Sequence, residues 1–464
     1  MPGAAMSRTL LVGLFLACGR QSTLEPLEGP PTGTVFAFAD LRGTLKPCGC
    51  SPDLRRGGLD RVAEVLRVAR SSHPNAPILL AGDLLLDDEG IPDILKAQTE
   101  RRVAALADAL ASIGVGAASL GPSDLAQPEW LATAIPRIRT PVIVTNPPPG
   151  APWAAATRPS ILLRAGGVHI GVVGLVPGGT DPAMAVRAEA ATLRAAGARL
   201  IVCLSGLGLR ASKRLAREGL GVEVLLAAGQ GLDAVVTDEV EELGPPDAAT
   251  FLLQSFVQGG QVGRLDLDLA GPGLVWLEAG HTRPEARGSL RWSLTPVNWD
   301  LPRDPTVAGV MDQFDKDLEA INLESATDAL PAIPGQPSYV GVAKCLECHE
   351  NTRTFWEHDR HETAWETLEK DNKTFDVYCV SCHVTGFMRP GGSAVKQLDG
   401  LKDVQCESCH GPGSAHAEAG EVALIQRTPA PSTCKVCHSP KHSTHFDFDK
   451  YRKKLVVPGH GMPL

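Results

Sequence analysis

Seven short apolar runs punctuate the first half of the chain: 34–40 (TVFAFAD), 77–83 (PILLAGD), 114–120 (GVGAASL), 141–146 (PVIVTN), 168–176 (VHIGVVGLV), 199–205 (RLIVCLS) and 222–228 (VEVLLAA). Their apolar character is nearly continuous rather than alternating, which predicts strands covered on both faces. Between them lie amphipathic stretches, such as 58–71 (GLDRVAEVLRVARS) and the segment near 183–198, with apolar residues at helical spacing. The alternation predicts an α/β unit with helices layered on a largely buried sheet over 34–270. After residue 250, TFLLQSFV and GRLDLDLA add strand-like segments at a mixed sheet edge. Residues 271–337 read as a connecting segment, with turns, a short strand near 290–295 and a helix over 305–324. From Tyr339 the pattern changes: Cys, His and Lys rise, strands disappear, and 338–464 reads as a mainly helical or irregular second unit.

The N-terminus changes the expected location. Arg8 followed by the apolar stretch 9–17 (TLLVGLFLA) reads as an export signal too short to span a bilayer. It runs into Leu16-Ala17-Cys18-Gly19, which resembles a bacterial lipoprotein signal over 1–18. Cys18 would then carry a lipid anchor; the alternative is a plain secretory signal with an incidental cysteine. Residues 19–33, rich in Pro, Gly and Ser, read as a tether. The formal charge of -9 over 464 residues argues against nucleic acid and against anionic surfaces as electrostatic partners.

Cysteine spacing carries the strongest chemistry. Eight of the twelve cysteines form four pairs, Cys345/Cys348, Cys379/Cys382, Cys406/Cys409 and Cys434/Cys437. Each pair is followed directly by a histidine: His349, His383, His410 and His438. Two thiols three residues apart reach the two vinyl groups of one haem, and the next imidazole falls beneath the iron as its proximal ligand. Zinc would use two such pairs per ion and would not require His after each one, and a redox CxxC would be single. The pattern therefore predicts four covalent haem c groups. Cys48, Cys50 and Cys203 are left over: a tight disulfide, a metal site or a single pairing with Cys203 all fit an oxidising compartment.

Two strands end in aspartate, Asp40 and Asp83, and ligands of open α/β sheets gather at strand carboxyl ends. The segments FADLRGTLKPCGC, RRGGLDRVAEVL, LLAGDLLLD, ASLGPSDLA, GGVHIGVVGLV, LIVCLSGLG and AAGQGLDAVV resemble the exported 5'-nucleotidase branch of the calcineurin-like metallophosphoesterases. The resemblance implies a layered metallophosphoesterase-like sandwich and retains Asp40 and Asp83. It departs at the chemistry. The family's D-x-H histidine is Arg42; its Asn-His box reads Gly121-Pro122-Ser123-Asp124; its Ser-His ligand is Ser205-Gly206; its Gly-His-x-His box reads Gly229-Gln230-Gly231-Leu232. Two metal ions need about seven N or O ligands, which two carboxylates do not supply. The expectation is a catalytically inactive domain in which Asp40 and Asp83 pair with Arg42 or with backbone amides.

YVGVAKCLECHE, FWEHDRHETAWETLE, YCVSCHVTGF, VQCESCHGPGSAH, CKVCHSPKHSTHFDFDKY and the closing GHG resemble the tetrahaem cytochromes of the cytochrome c five-five-four type, over the whole of 338–464. By that resemblance His361, His416 and His460 are favoured as distal iron ligands. His361 is expected on a helix with Trp365 and Leu368. His358, His442 and His445 read as surface or supporting residues, His442 or His445 being the candidate for a fourth distal ligand. The family also includes one five-coordinate haem. Met388 and Met462 are the methionines of this region, so mostly bis-His, low-potential iron is expected. The leading expectation is a periplasm-facing electron carrier serving periplasmic or membrane redox proteins, held to the envelope by a lipid anchor. The alternatives are a haem oxidoreductase reducing a small nitrogen oxide, and a metal-dependent nucleotidase with an appended cytochrome.

Overall fold

The structure is a computed structural model that describes residues 32–462, except 47–55, 88–89, 230, 232–234, 246–247, 270, 272, 279–280, 283–286, 326–327, 440–441 and 444. The export signal, Cys18, most of the tether, Cys48, Cys50 and Gln230 lie outside the described residues.

The first half alternates strand and helix as expected. In order come β1 (Gly33–Ala39), α1 (Leu59–Arg70), β2 (Ile78–Ala81), α2 (Lys96–Ile113), β3 (Val115–Ala118), α3 (Pro122–Leu125) and α4 (Pro128–Ala134). There follow β4 (Ser160–Ala165), β5 (Val168–Leu175), α5 (Pro182–Ala195), β6 (Leu200–Ser205), α6 (Leu209–Arg217) and β7 (Val224–Ala227). Last are β8 (Glu241–Leu243), β9 (Thr250–Gln254), β10 (Gln261–Asp268), β11 (Leu274–Trp276), β12 (Gly288–Pro296) and α7 (Pro305–Ser325). They build two six-stranded sheets, ordered β11-β12-β10-β1-β2-β3 and β4-β5-β6-β7-β9-β8.

The period of two in the strands decides the layering. In β1, Val35, Ala37 and Ala39 face the second sheet, where they meet Val172, Val202 and Leu226. Phe36 and Phe38 point the other way, into a core closed by Leu59 and Leu66 of α1, Leu106 and Leu110 of α2, and Met311 and Phe314 of α7. Each phenylalanine, fully buried, contributes about 1.5–3 kcal/mol. β6 repeats the device: Leu200, Val202 and Leu204 face the first sheet, while Ile201 and Cys203 pack under α5 and α6. The result is a sandwich of two sheets with helices on both outer faces.

Three expectations need correction. The run 141–146 makes only isolated bridges, Val142 to Ala118 and Ile143 to Arg158. Pro141 and the three prolines after Asn146 deprive it of ladder donors. Residues 271–325 are more than a connection: β12 pairs with β10 along eight register positions, and α7 packs on α1 and α2, so both belong to the sandwich. Cys203 is a core residue rather than a reactive one. It is wholly buried, and burial pushes its thiol up to about 12.

The second domain is built differently. Its helices are short: α8 (Val342–Leu346), α9 (Arg353–Trp356), α10 (Ala364–Lys370), α11 (Val377–His383), α12 (Cys406–His410), α13 (Ser414–Ala419), α14 (Pro431–Lys435) and α15 (Phe448–Leu455). Its buried apolar cluster consists of Trp365, Leu368, Val380 and Val384. It docks on the sandwich through Gln98 of α2, which is fully buried. Gln98 Nε2 donates to Asp376 Oδ1 (2.5 Å), and its Oε1 accepts from Val377 N (3.1 Å) and Asn322 Nδ2 (3.0 Å). Asn322 also donates to Phe375 O, and the Arg102 guanidinium lies 4.5 Å from the centre of the Tyr378 ring.

Candidate functional site

Each CxxCH segment turns as about one helical coil, which brings positions i, i+3 and i+4 to one side. The His349 amide donates to Cys345 O (3.0 Å) and the His438 amide to Cys434 O (2.9 Å), closing that turn directly. Glu407, inside the third motif, is almost wholly buried and accepts from the amides of Val340, Gly341 (2.8 Å) and Gly413 (2.7 Å). It therefore clamps the approach to the first motif against the third. All eight CxxCH thiols and the histidines His349, His383, His410 and His438 border one cavity of about 2210 Å³. His361, His416 and His460 border it too. One small ligand fills about 300–1,000 Å³, and protein interiors are otherwise close-packed. A cavity this large, walled by paired thiols and imidazoles, fits several covalently held haems and supplies the core that four apolar side chains cannot.

The imidazoles meet across that cavity in pairs. Ring centroids are 6.1 Å apart for His349 and His416, 6.1 Å for His361 and His438, and 6.0 Å for His410 and His460. An imidazole nitrogen sits about 2.0 Å from a first-row metal ion and roughly 1.1 Å from its own ring centre, so trans ligation separates centroids by about 6.2 Å. Each pair joins one CxxCH histidine to one of the three expected distal histidines. Several Nδ1 atoms are already engaged, which leaves Nε2 for the cavity. His410 Nδ1 meets Gln426 O (2.8 Å), His416 Nδ1 meets Glu421 O (2.8 Å), and His460 Nδ1 meets Leu455 O (2.6 Å). His383 Nδ1 meets Ala364 O (2.5 Å), and His361 Nδ1 lies 2.7 Å from Asp359 Oδ1.

His361 sits in the turn before α10 rather than on a helix, while Trp365 and Leu368 are buried within α10. His358 is exposed with Nδ1 at Thr354 O (2.8 Å), His442 borders the cavity and His445 is exposed. Sequence reasoning missed Asp359, two residues before His361, and Glu407; a carboxylate so close to a candidate ligand was the available signal. It also missed Phe446, stacked on His438 at 4.6 Å.

Residues 344–411 match the family described as cytochrome c554 and c-prime. The second domain carries the family match. That family implies covalently bound haem c. Cytochrome c-554 of Nitrosomonas europaea is 35% identical over 104 residues, covering 18% of this chain and 44% of that protein. The chain thus spans less than half the length of this relative. For the fold, a 5'-nucleotidase precursor from Thermus thermophilus is similar at 17% identity and TM-score 0.49, over 73% of this chain and 67% of that one. The sulfate thiohydrolase SoxB of Thermus thermophilus is similar at 15% identity and TM-score 0.49, over 72% and 69%.

In the sandwich, the carboxylates at the strand ends are engaged by backbone amides. Asp40 accepts from Gly229 N (2.6 Å) and Asp83 N (3.2 Å), and Asp83 accepts from Ser123 N (2.8 Å) and Ser123 Oγ (3.1 Å). Asp124 accepts from Leu84, Leu85, Leu86 and Gly121 amides at 2.8–3.2 Å. Burial and the neighbouring Asp40 push the Asp83 carboxyl up to about 6, against the pull of Ser123 and Arg42. Burial and Asp83 push Asp124 up to about 7. Asp40 and Arg42 hold φ of 48° and 53°, a left-handed backbone unusual for side-chain-bearing residues. Gly82 is required there: at φ 88° a Cβ would lie 2.2 Å from Asp40 Oδ1. Gly206, at the position matching a family histidine, has no room either, since its Cβ would lie 2.1 Å from Leu120 O. Among the described residues no cluster of three His, Cys, Asp or Glu could hold a metal ion.

Proposed function

We propose that this chain is an exported electron-transfer protein that holds four covalent haem c groups beside a sandwich whose phosphoesterase chemistry has been lost. The observation that carries it is the set of three imidazole pairs at 6.0–6.1 Å around a cavity bordered by eight paired thiols. In this reading Cys345/Cys348, Cys379/Cys382, Cys406/Cys409 and Cys434/Cys437 make the thioethers. His349, His383, His410 and His438 ligate from one side, with His416, His460 and His361 opposite the first, third and fourth. Bound haem supplies reversible one-electron chemistry at iron. The chain's own residues do the rest: Asp359 and the carbonyls of Gln426, Glu421 and Leu455 fix imidazole orientation, and Glu407 holds two motifs in contact. The export signal and the exported character of such relatives support a periplasmic site, with Cys18 as the lipid-bearing residue and periplasmic or membrane redox proteins as partners.

A redox titration followed by EPR, together with a haem count per chain, tests this. Four haems and low-spin bis-His signals are expected, with one of them converted to high spin by His416→Ala. Fewer haems, or a spectrum dominated by Met/His centres, would overturn the reading.

A further inference from the structure

The four haem motifs differ in one respect that their sequence pattern does not reveal. The side chain between the cysteines is buried in the first three: Leu346 is 6% exposed, Val380 0% and Glu407 2%. In the fourth, Val436 is 74% exposed, and Lys435 beside it is exposed as well. The Cys434/Cys437 edge of the cavity therefore lies against solvent.

Beside it runs α15. His438 stacks on Phe446 at 4.6 Å and 13°, Phe446 lies 5.0 Å from Tyr451 of α15, and Tyr451 lies 6.0 Å from His438. Lys454 Nζ caps the Tyr451 ring at 5.0 Å. The outer face of this helix is basic: Lys450, Arg452, Lys453 and Lys454 are all exposed, with Asp449 as the acid among them and Asp447 at the N-cap. Residues 431–464 hold six Lys or Arg against two Asp, in a chain whose formal charge is -9.

A single exposed apolar residue beside a redox centre, rimmed by one sign of charge, has the make-up of a transient docking patch. We propose that this surface, Val436 with the basic face of α15, is the docking site for an acidic one-electron redox protein, and that the fourth motif is the port through which electrons enter or leave. The inference rests on the electron-transfer function proposed above. One electron passes between the acidic partner and the group held by Cys434, Cys437 and His438; no bond forms or breaks. A lipid surface suits the patch less well. An interfacial helix needs a broad outward apolar face, whereas Phe448, Tyr451 and Leu455 are partly buried against the domain.

The test uses full-length holoprotein and the triple variant Arg452→Glu, Lys453→Glu, Lys454→Glu, with Val436→Asp as a second variant that leaves the helix intact. Stopped-flow reduction by an acidic flavodoxin is compared with reduction by dithionite. With flavodoxin at low ionic strength the triple variant should react about tenfold or more slowly, and the difference should vanish near about 0.5 M salt. Val436→Asp should also slow it. Dithionite should reduce every haem in all proteins; failure there would strike the electron-transfer reading itself rather than the docking site. Unchanged flavodoxin rates in both variants would overturn the proposal. So would loss of binding to phosphatidylserine vesicles with flavodoxin rates intact, which would make the patch a lipid contact.

Discussion

Replacing Gln98 by Leu should uncouple the two domains. Gln98 sits fully buried where α2 meets the N-terminus of α11, and its amide is used at both ends. Leucine keeps roughly the volume and removes three hydrogen bonds. The Val377 amide, in the first turn of α11 and buried with its residue 4% exposed, is left without its acceptor. An orphaned buried donor costs about 1–3 kcal/mol, and a lost hydrogen bond to a carboxylate such as Asp376 about 1.5–3. Asn322 still reaches Phe375 O, so its loss is smaller. The docking should weaken by roughly 2–5 kcal/mol in all. Urea unfolding of the holoprotein, followed by Soret absorbance for the second domain and far-ultraviolet circular dichroism for the sandwich, reads this out. The variant should lose its haem-domain transition at lower urea while the sandwich midpoint stays in place, and hydrogen exchange at Val377 should accelerate. Coincident, unshifted transitions with Val377 still protected would refute the view that Gln98 is the latch.

Asp83→Asn addresses the strand-end carboxylates. The folded carboxyl titrates near 6, above the ordinary 3.8, so the folded sandwich binds more protons than the unfolded chain between those values. Its stability should fall as pH rises from about 4 to 7 and then level off. The shift corresponds to about 3 kcal/mol. The variant should match the parent near pH 4 and exceed it above pH 7 in thermal melts; a parent whose sandwich is insensitive to pH over this range would contradict the assignment. Gly206→Ala should destabilise the sandwich by about 1–3 kcal/mol, because its Cβ would press on Leu120 O, whereas Gly167→Ala, with open space around it, should not. Equal urea midpoints for the two would be incompatible with this packing.

The sandwich was legible where strand burial is written in Val, Ile, Leu and Phe: β1, β5, β6 and β7 stand within a residue or two of the apolar runs that predict them. It was illegible where the buried face is written in alanine. α2 packs through Ala105, Ala109 and Leu110, a weak periodic signal, and no strand-helix alternation announced it. Proline overrode the apolar run at 141–146, and long-range pairing of β12 with β10 gave structural work to residues that read as a connection. At the candidate site, cysteine spacing identified the motifs because thioether geometry is local. The pairing of imidazoles was reached only through resemblance, since His349 and His416 are brought together by folding across 67 residues of chain. Glu407 and Asp359 escaped because a carboxylate's amide partners are invisible until the chain is folded.

The four-residue apolar cluster of the second domain dictates an order of assembly. Trp365, Leu368, Val380 and Val384 bury too little to hold a unit of this size against its chain entropy, so that part of the polypeptide cannot collapse ahead of cofactor attachment. Until then its thiols must stay reduced and apart, although folding brings Cys345 beside Cys406 and Cys382 beside Cys437. The sandwich has no such dependence. It closes three apolar clusters of its own, emerges first from the ribosome, and stands complete when α11 arrives at Gln98. A domain without its old chemistry thus still has a task at birth: it offers a finished surface on which a haem-dependent neighbour can be seated.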